Sequence, residues 1–304
     1  MRVEQPLEIL VPDLQADPAD APEWLGDIVA LGGEVTAASM LSAYAAGTFP
    51  MEVGLADSGD DDDCLCDECV AETATDGEQA VGPQAGIDIG GPTQSSPDVG
   101  DETDTQGALS ASDAPDAPDA SAASILAWWS PVKRAVLPLS ALRVSRSLAK
   151  SCRRYEVTVD RDFAQVLREC ADPRDNSVWM LPDFIAAYED LHAQGKAHSV
   201  ETRDSSGRLV GGLICVEQGG LVNGDSMFHR ERDASKVALV ALVRMLREAP
   251  PAPGLPEWIG GRLLDAQWLT PHLASLGAVE ITRRDYVRLL PAALAVAPAI
   301  GSPR

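Results

Sequence analysis

The chain has 304 residues and a formal net charge of −23, a length that allows one large core or two modest domains. A charge of this sign argues against nucleic-acid binding only if it is spread over the whole chain. Residues 52–124 contain 19 acidic residues and no Lys or Arg, whereas residues 125–304 contain 20 acidic and 23 basic residues. The acidity belongs to the first 124 residues, so the slightly basic remainder can still bind nucleic acid.

Neither a signal peptide nor an apolar run of roughly 18 residues is visible, so we expect a soluble cytoplasmic protein with no membrane partner and reduced thiols. Three of the six cysteines, Cys64, Cys66 and Cys69, lie together in the acidic stretch. A closed zinc site needs four ligands, and no His lies near these thiols. Metal binding is therefore the less favoured alternative to an adventitious or redox-active cluster, and we predict no metal.

The composition divides the chain into four parts. Residues 1–51 form a small N-terminal domain, with a Gly32-Gly33 turn and then a helix from Thr36 as N-cap to Gly47 as stop. Residues 52–124 lack Phe, Trp and Tyr and contain the near-repeat DAPDAPDA, which predicts a disordered acidic insert. Residues 125–291 form a globular domain, and residues 292–304 a flexible tail.

The pattern after residue 125 is typical of a mixed α/β (α+β) domain built on one sheet. Strands are predicted by alternation and turn signals, and helices by apolar spacing and caps, including Asp233 as an N-cap. In chain order they are a strand at 155–159, helices at 162–170 and 184–194, a hairpin at 198–203 and 209–217, a strand from 221, a helix at 234–249, a strand at 262–268, a helix at 271–276 and a strand at 286–290.

Nine segments, in order, resemble the leucyl/phenylalanyl-tRNA–protein transferase family; among them are LGGEVTAASMLSAYAAGTFP (31–50), WWSPVKRAVLP (128–138), GDSMFHR (224–230) and LLDAQ (263–267). The resemblance implies a catalytic domain of the N-acetyltransferase-like (GNAT) fold. It also implies transfer of Leu or Phe, with Met as a further candidate, from aminoacyl-tRNA to the N-terminal amine of proteins that begin with Arg or Lys. The product carries a degradation signal. An aminoacyl ester is already activated, so no cofactor is expected.

Asp265 and Gln267 are the catalytic candidates. Residues two apart on a strand face the same side, so both side chains could reach one cavity. The resemblance assigns both to the catalytic centre, where Asp265 would orient Gln267 and Gln267 would position the attacking amine. We expect the Asp265→Ala variant to fold normally and lose transfer activity. The alternative is an exposed pair near a strand end.

The resemblance places the GDSMF segment beside an apolar pocket for the aminoacyl group. The family usually has Glu at Asp225, Ser at His229 and, after the FP of the N-terminal domain, Trp at Met51. Ordinary core packing is the alternative for the aromatic and apolar members, and the paired tryptophans could instead stack on the terminal adenine. The substrate-binding candidates are Asp225, Ser226, Met227, Phe228, Trp179, Trp128 and Trp129.

Residues 130–155 hold seven basic residues and no acidic one. Helical spacing would line most of these cations along one side, where phosphate contacts give affinity without sequence readout. We expect this cationic helix to lie beside the cavity; a solvated charged face is the alternative. The tRNA-binding candidates are Arg143, Arg146, Lys150, Arg153 and Arg154.

Two other functions compete with this interpretation. An acetyl-CoA-dependent N-acetyltransferase needs a pyrophosphate loop of the R/Q-x-x-G-x-G/A kind opening a helix. The segment HRERDASK before the long helix has no Gly, and RLVGGL (208–213) lies within a predicted strand. A non-catalytic tRNA-binding homologue is the second alternative, motivated by the departures at Met51, Asp225 and His229.

Overall fold

The computed structural model describes residues 26–54, 124–172 and 180–300. Most of the predicted acidic insert, with Cys64, Cys66 and Cys69, lies outside these residues, and so does Trp179. The described part has a mixed α/β architecture with two β-sheets and seven α-helices. Within it, no helix has both the length and the apolar character needed to cross a membrane.

The smaller sheet joins the N-terminal residues to the strand that carries the paired tryptophans. Its three strands are β1 (Ile28–Leu31), β2 (Phe49–Gly54) and β3 (Ser124–Trp129), in the order β1-β3-β2. Helix α1 (Ala37–Ala45) lies between β1 and β2 in the chain and begins at a capping box, in which Thr36 Oγ1 accepts the backbone N–H of Ser39 at 3.0 Å. Because β3 pairs with N-terminal strands, the domain boundary predicted at residue 125 divides one sheet.

The larger sheet has seven strands in the order β10-β4-β9-β8-β7-β6-β5. Its pairs are antiparallel except β8 with β9, which run parallel and pair from Leu221 with Leu263 to Asn223 with Asp265. Beyond that point β8 no longer pairs with β9 but stays paired with β7 as far as His229. The strands are β4 (Lys133–Val136), β5 (Glu156–Val159), β6 (Ala197–Arg203), β7 (Leu209–Gln218), β8 (Leu221–His229), β9 (Leu263–Gln267) and β10 (Val279–Thr282).

Six further helices cover the two faces of this sheet: α2 (Arg146–Arg154), α3 (Phe163–Cys170), α4 (Pro182–Ala193), α5 (Ala234–Glu248), α6 (Pro271–Leu276) and α7 (Arg283–Leu294). Strand alternation sends neighbouring residues into different hydrophobic clusters, as Leu263 and Leu264 show. Helices α1, α3, α4 and α7 pack into the first cluster, which we call the α1 face. Helices α2, α5 and α6 pack into the second, the α5 face.

Two predictions at the C-terminal end are wrong. The strand predicted at 286–290 lies in α7, where Thr282 caps the helix and the buried Tyr286, Leu290 and Ala293 recur at helical spacing. The flexible tail predicted from residue 292 is packed as far as Ile300, which is 4% exposed. The Glu217 carboxylate accepts the backbone N–H groups of Ala299 and Ile300 at 2.6 and 2.9 Å, a contact that sequence spacing cannot reveal.

The predicted N-cap of α5 is also different from what the structure shows. Asp233 precedes the helix in a left-handed conformation, with φ of 64°, and its side chain makes no capping bond. The carboxylate instead accepts the Ser151 hydroxyl of α2 at 2.9 Å. Asp233 therefore joins two helices on the α5 face.

We expect Gly277→Ala to destabilise the fold by more than about 3 kcal/mol, because strain and a steric clash add together. Gly277 ends α6 with φ of 108°, and an added Cβ would lie 2.1 Å from the Ala141 carbonyl oxygen. Gly195→Ala is the control, since its φ is 65° but no described atom lies within 4 Å of the added Cβ. Urea unfolding should show a loss of only about 1–2 kcal/mol for the control, and equal losses would contradict the steric argument.

Candidate functional site

A small cavity lies on the α1 face, between the N-terminal elements and the seven-stranded sheet. It encloses about 20 Å³, which is room for roughly one water molecule. Any larger ligand group therefore requires the lining side chains to move apart. They are Tyr44, Phe49, Pro50, Met51, Tyr188, Asp225 and Gln267.

Asp225 reaches the cavity because β8 carries a bulge. The register against β7 passes from Ser226 opposite Ile214 to Gly224 opposite Cys215, which leaves Asp225 as an extra residue. Its carboxylate accepts the Tyr44 hydroxyl at 3.1 Å and the Gln267 side-chain amide at 2.9 Å.

Asp225 is only 4% exposed, and its side-chain hydrogen-bond donors are neutral groups. Burial raises the pKa of Asp225 to about 8, despite hydrogen bonds from Tyr44 and Tyr188 that act in the opposite direction. Near neutral pH this group can both accept and release a proton, which is the property of a general acid–base residue.

Gln267 ends β9 in a strained conformation. Its φ is 58°, a left-handed value that non-glycine residues rarely adopt and that is often found at functional sites. The backbone N–H of Gln267 donates to Asp265 Oδ1 at 3.0 Å, which holds this conformation. The side-chain amide is thereby directed at Asp225.

Asp265 lies behind Gln267 and does not line the cavity. It is fully buried and binds Arg134 through both carboxylate oxygens, with the Arg134 Nε contact at 2.8 Å, and it accepts the Tyr286 hydroxyl at 3.0 Å. Burial would lower the pKa of Arg134, but the Asp265 charge outweighs it and raises that pKa above its ordinary value. The pair is thus a buried ion pair.

The prediction that both Asp265 and Gln267 face one cavity is therefore met by Gln267 alone. The expectation that Asp265→Ala folds normally also needs correction. That change would leave the buried Arg134 without its counterion, which typically costs about 3–5 kcal/mol. A loss of activity in this variant would not separate catalysis from folding.

Of the predicted tryptophans, Trp128 and Trp129 are described by the structure, and both lie outside the cavity lining. Trp129 is buried and donates its indole N–H to the Met51 carbonyl at 3.3 Å. It packs edge-on to Trp268 with ring centres 5.6 Å apart, and Trp268 packs in the same way on Phe49 at 5.0 Å. Trp128 is half-buried and donates to the Gly32 carbonyl at 3.0 Å. Neither residue of the pair belongs to the lining.

Within the GDSMF segment, Asp225 is the lining residue. Phe228 is buried in the core of the α1 face, and Met227 packs against the core of the α5 face. Ser226 is 4% exposed and is not part of the lining. The core-packing alternative therefore describes Met227 and Phe228.

Four residues of the lining were not predicted from the sequence: Tyr44, Tyr188, Phe49 and Pro50. Phe49 and Pro50 end the first family-like segment, and Tyr44 lies on the buried side of α1. Because these three residues lie in the family-like segment 31–50, the resemblance could have suggested them as site residues. Tyr188 lies inside an ordinary helical pattern and carried no signal of its own.

The five predicted tRNA-binding residues are all exposed, and four of them lie on α2, with Arg143 just before it. Arg154 pairs with Glu231 at 3.0 Å, while the other four form no ion pair within the described part of the chain. Helix α2 packs through Leu148 on the α5 face, whereas the cavity lies on the α1 face. The expectation that the cavity opens directly beside the cationic helix is wrong.

We expect Asp225→Asn to change how stability depends on pH. In the unfolded chain this carboxyl has an ordinary pKa of about 4, so between pH 4 and 8 the folded state keeps a proton that the unfolded chain releases. Wild-type stability therefore falls as pH rises, by at most about 1.4 kcal/mol per pH unit from this group, and the variant lacks that loss.

Urea unfolding at pH 5, 6, 7 and 8 checks this expectation. The difference in unfolding free energy between Asp225→Asn and wild type should shift in favour of the variant at each step. The exposed Asp190→Asn serves as the control and should follow wild type. A difference that does not change with pH would contradict the raised pKa.

Tyr188, Asp225 and Gln267 of the cavity lie in a stretch that matches a known protein family. The family model described as leucyl/phenylalanyl-tRNA protein transferase matches residues 136–291. A protein of that name from Rhizorhabdus wittichii is 49% identical over 185 residues, covering 60% of this chain and 70% of the relative. The namesake from Rubrobacter xylanophilus is 48% identical over 163 residues, covering 53% of this chain and 79% of the relative.

A solved structure, L-PGS from Bacillus licheniformis, matches 47% of this chain and 50% of its own with 14% identity and a TM-score of 0.27, too low to indicate a common fold. The sequence relatives, by contrast, share nearly half of their aligned residues with this chain. The chain therefore belongs to the leucyl/phenylalanyl-tRNA–protein transferase family and is an aminoacyltransferase.

Proposed function

We propose that this enzyme transfers Leu or Phe from aminoacyl-tRNA to the N-terminal α-amine of proteins that begin with Arg or Lys. The reaction takes place in the cytoplasm and creates a degradation signal. The observation that carries the proposal is the hydrogen-bonded pair of Asp225 and Gln267 in a cavity walled by aromatic and apolar side chains.

The reaction is aminolysis of an ester. The α-amine attacks the carbonyl carbon, a C–N bond forms, the C–O bond to the ribose breaks, and the ribose hydroxyl leaves. The amine must lose a proton and the hydroxyl must gain one. Asp225 is suited to carry that proton, because its pKa of about 8 lies close to the operating pH.

Gln267 acts by positioning, since a neutral amide is a poor base. Its side-chain amide already donates to Asp225, and the bond from its backbone N–H to Asp265 limits its movement. Holding the amine and the ester in attack geometry supplies a large part of the acceleration in such reactions. Asp265 and Arg134 therefore serve as positioning residues behind Gln267.

The cavity wall supports an apolar aminoacyl side chain. Phe49, Met51 and the rings of Tyr44 and Tyr188 would exclude polar side chains through their desolvation cost. Leu and Phe would both be accepted, because apolar pockets separate similar side chains by only ~1–3 kcal/mol and Met51 is flexible. The wall must open on binding, since about 20 Å³ holds neither side chain.

The cations of α2 would hold tRNA phosphates on the α5 face. The aminoacylated end must then pass to the α1 face to reach Asp225 and Gln267. Strands β8 and β9 stop pairing after Asn223 and Asp265. Asp225 and Gln267 each lie two positions beyond that point. We infer that the RNA end passes where these strands separate.

One parallel pair that separates at the site, within an otherwise antiparallel sheet, also supports a GNAT-like fold.

A transfer assay tests the function. Wild type should move radiolabelled Leu and Phe from tRNA to peptides beginning with Arg or Lys, and not to the same peptides with acetylated N-termini. Asp225→Asn should lower the rate by about 10²–10⁴-fold, the usual contribution of a general acid–base group. Asp190→Asn is the matched control and should retain full activity. Full activity of Asp225→Asn would exclude the proton-transfer role.

Neutralising two cations of α2 tests the tRNA surface. Arg146→Gln with Lys150→Gln should weaken tRNA binding and reduce the slope of log K against log salt by roughly 1.4 to 1.8. The matched double variant, Arg161→Gln with Arg168→Gln, removes two exposed cations that lie at and just before α3, on the α1 face. It should leave affinity and slope unchanged; equal losses in both double variants would indicate an effect of net charge alone.

A further inference from the structure

The connection between α5 and β9, residues 249–261, is a compact loop with four prolines and three glycines. The glycines have positive φ values of 93°, 85° and 100°, which only glycine adopts readily. The loop is closed by a 2.7 Å bond from the Ala252 backbone N–H to the Gly261 carbonyl, and Arg262 donates to the Pro250 carbonyl at 3.1 Å. Prolines and these bonds leave the loop few alternative conformations.

This loop presents Trp258 to solvent. Trp258 is 45% exposed, although the next residue, Ile259, is 1% exposed and anchors the short 3-10 turn Glu257–Ile259. The Ser140 hydroxyl donates to the Trp258 carbonyl at 3.2 Å. Gly260 packs so closely that an added Cβ would lie 2.9 Å from the Ser140 backbone nitrogen. The ring makes no aromatic contact within the described residues.

The neighbour of Trp258 is the segment that leads into the cationic helix. Ser140 lies in a 3-10 turn, Leu139–Ala141, and the exposed Arg143 follows two residues after that turn. Arg247 of α5 donates a hydrogen bond to the Leu139 carbonyl of the same turn. Glu257, the residue before Trp258 in the chain, is acidic and exposed. An exposed aromatic side chain on a constrained turn therefore lies next to the segment that leads through Arg143 to α2, and four of the five cations there lack an ion pair within the described part of the chain.

We propose that Trp258 is a stacking platform for an unpaired base of the tRNA that α2 holds. The proposal rests on the proposed function, in which that tRNA is the substrate. Flat aromatic side chains beside cations are how proteins bind single-stranded nucleotides, because every base offers a face for stacking. The exposed cations of α2 and Arg143 suit a phosphate backbone, so the charge of the surface favours RNA over a protein partner.

The test compares Trp258→Ala, Trp258→Phe and Val279→Ala in the full chain. Val279 is a matched control, since it is 40% exposed and lies on β10, at an edge of the larger sheet. Trp258→Ala should weaken tRNA binding by about tenfold and raise KM for leucyl-tRNA with kcat unchanged. Trp258→Phe should retain most of the affinity, and Val279→Ala all of it.

The salt dependence separates stacking from charge. Because Trp258 carries no charge, its removal should leave the slope of log K against log salt at the wild-type value. Unchanged tRNA affinity in Trp258→Ala, or a weakened affinity with an altered slope, would overturn the assignment. Should wild type itself neither bind tRNA nor transfer Leu, the proposed function fails. If wild type does both and Trp258→Ala matches it, only the stacking role fails.

Discussion

The buried ion pair of Arg134 and Asp265 connects most parts of the site. Arg134 lies between the rings of Phe49 and Tyr286, at 4.7 and 4.5 Å from their centres, and donates to the Gly47 carbonyl at 3.3 Å. One guanidinium thus ties β4 to β9, to α7 and to the N-terminal elements. A buried charge is tolerated only when it is fully paired, so this arrangement allows little rearrangement around it.

Asp225 and Asp265 have different roles because they have different hydrogen-bonding partners. Asp265 pairs with the Arg134 guanidinium, and its role is to hold the structure and to orient Gln267. Asp225 has only neutral donors in a buried setting, which raises its pKa to about 8. Environments that treat two carboxyl groups so differently commonly separate a structural role from an acid–base role. Gln267, bonded to both, transmits the position of one to the other.

The helix–strand order between residues 155 and 276 could be predicted from turns, caps and apolar spacing, as at α6, where Thr270 caps and Gly277 ends the helix. The strands β4 and β10 were not predicted. The error at 286–290 has a local cause: the apolar residues of α7 were assigned to a strand although Thr282 and Asp285 mark a helix start. The packed end near Ile300 could not be predicted, because its partner Glu217 lies more than 80 residues earlier.

The sequence by itself determined the local elements and the cationic helix, because these depend on residue type and short-range spacing. Its resemblance to the family pointed to Asp225 and Gln267 as candidates. Only the tertiary structure decided that Asp265 lies behind Gln267, that a bulge turns Asp225 into the cavity, and that Tyr44 and Tyr188 join it. It also placed the cationic helix on the opposite face of the sheet. Burial, bulges and long-range pairing arise from packing between distant segments, which periodicity does not encode.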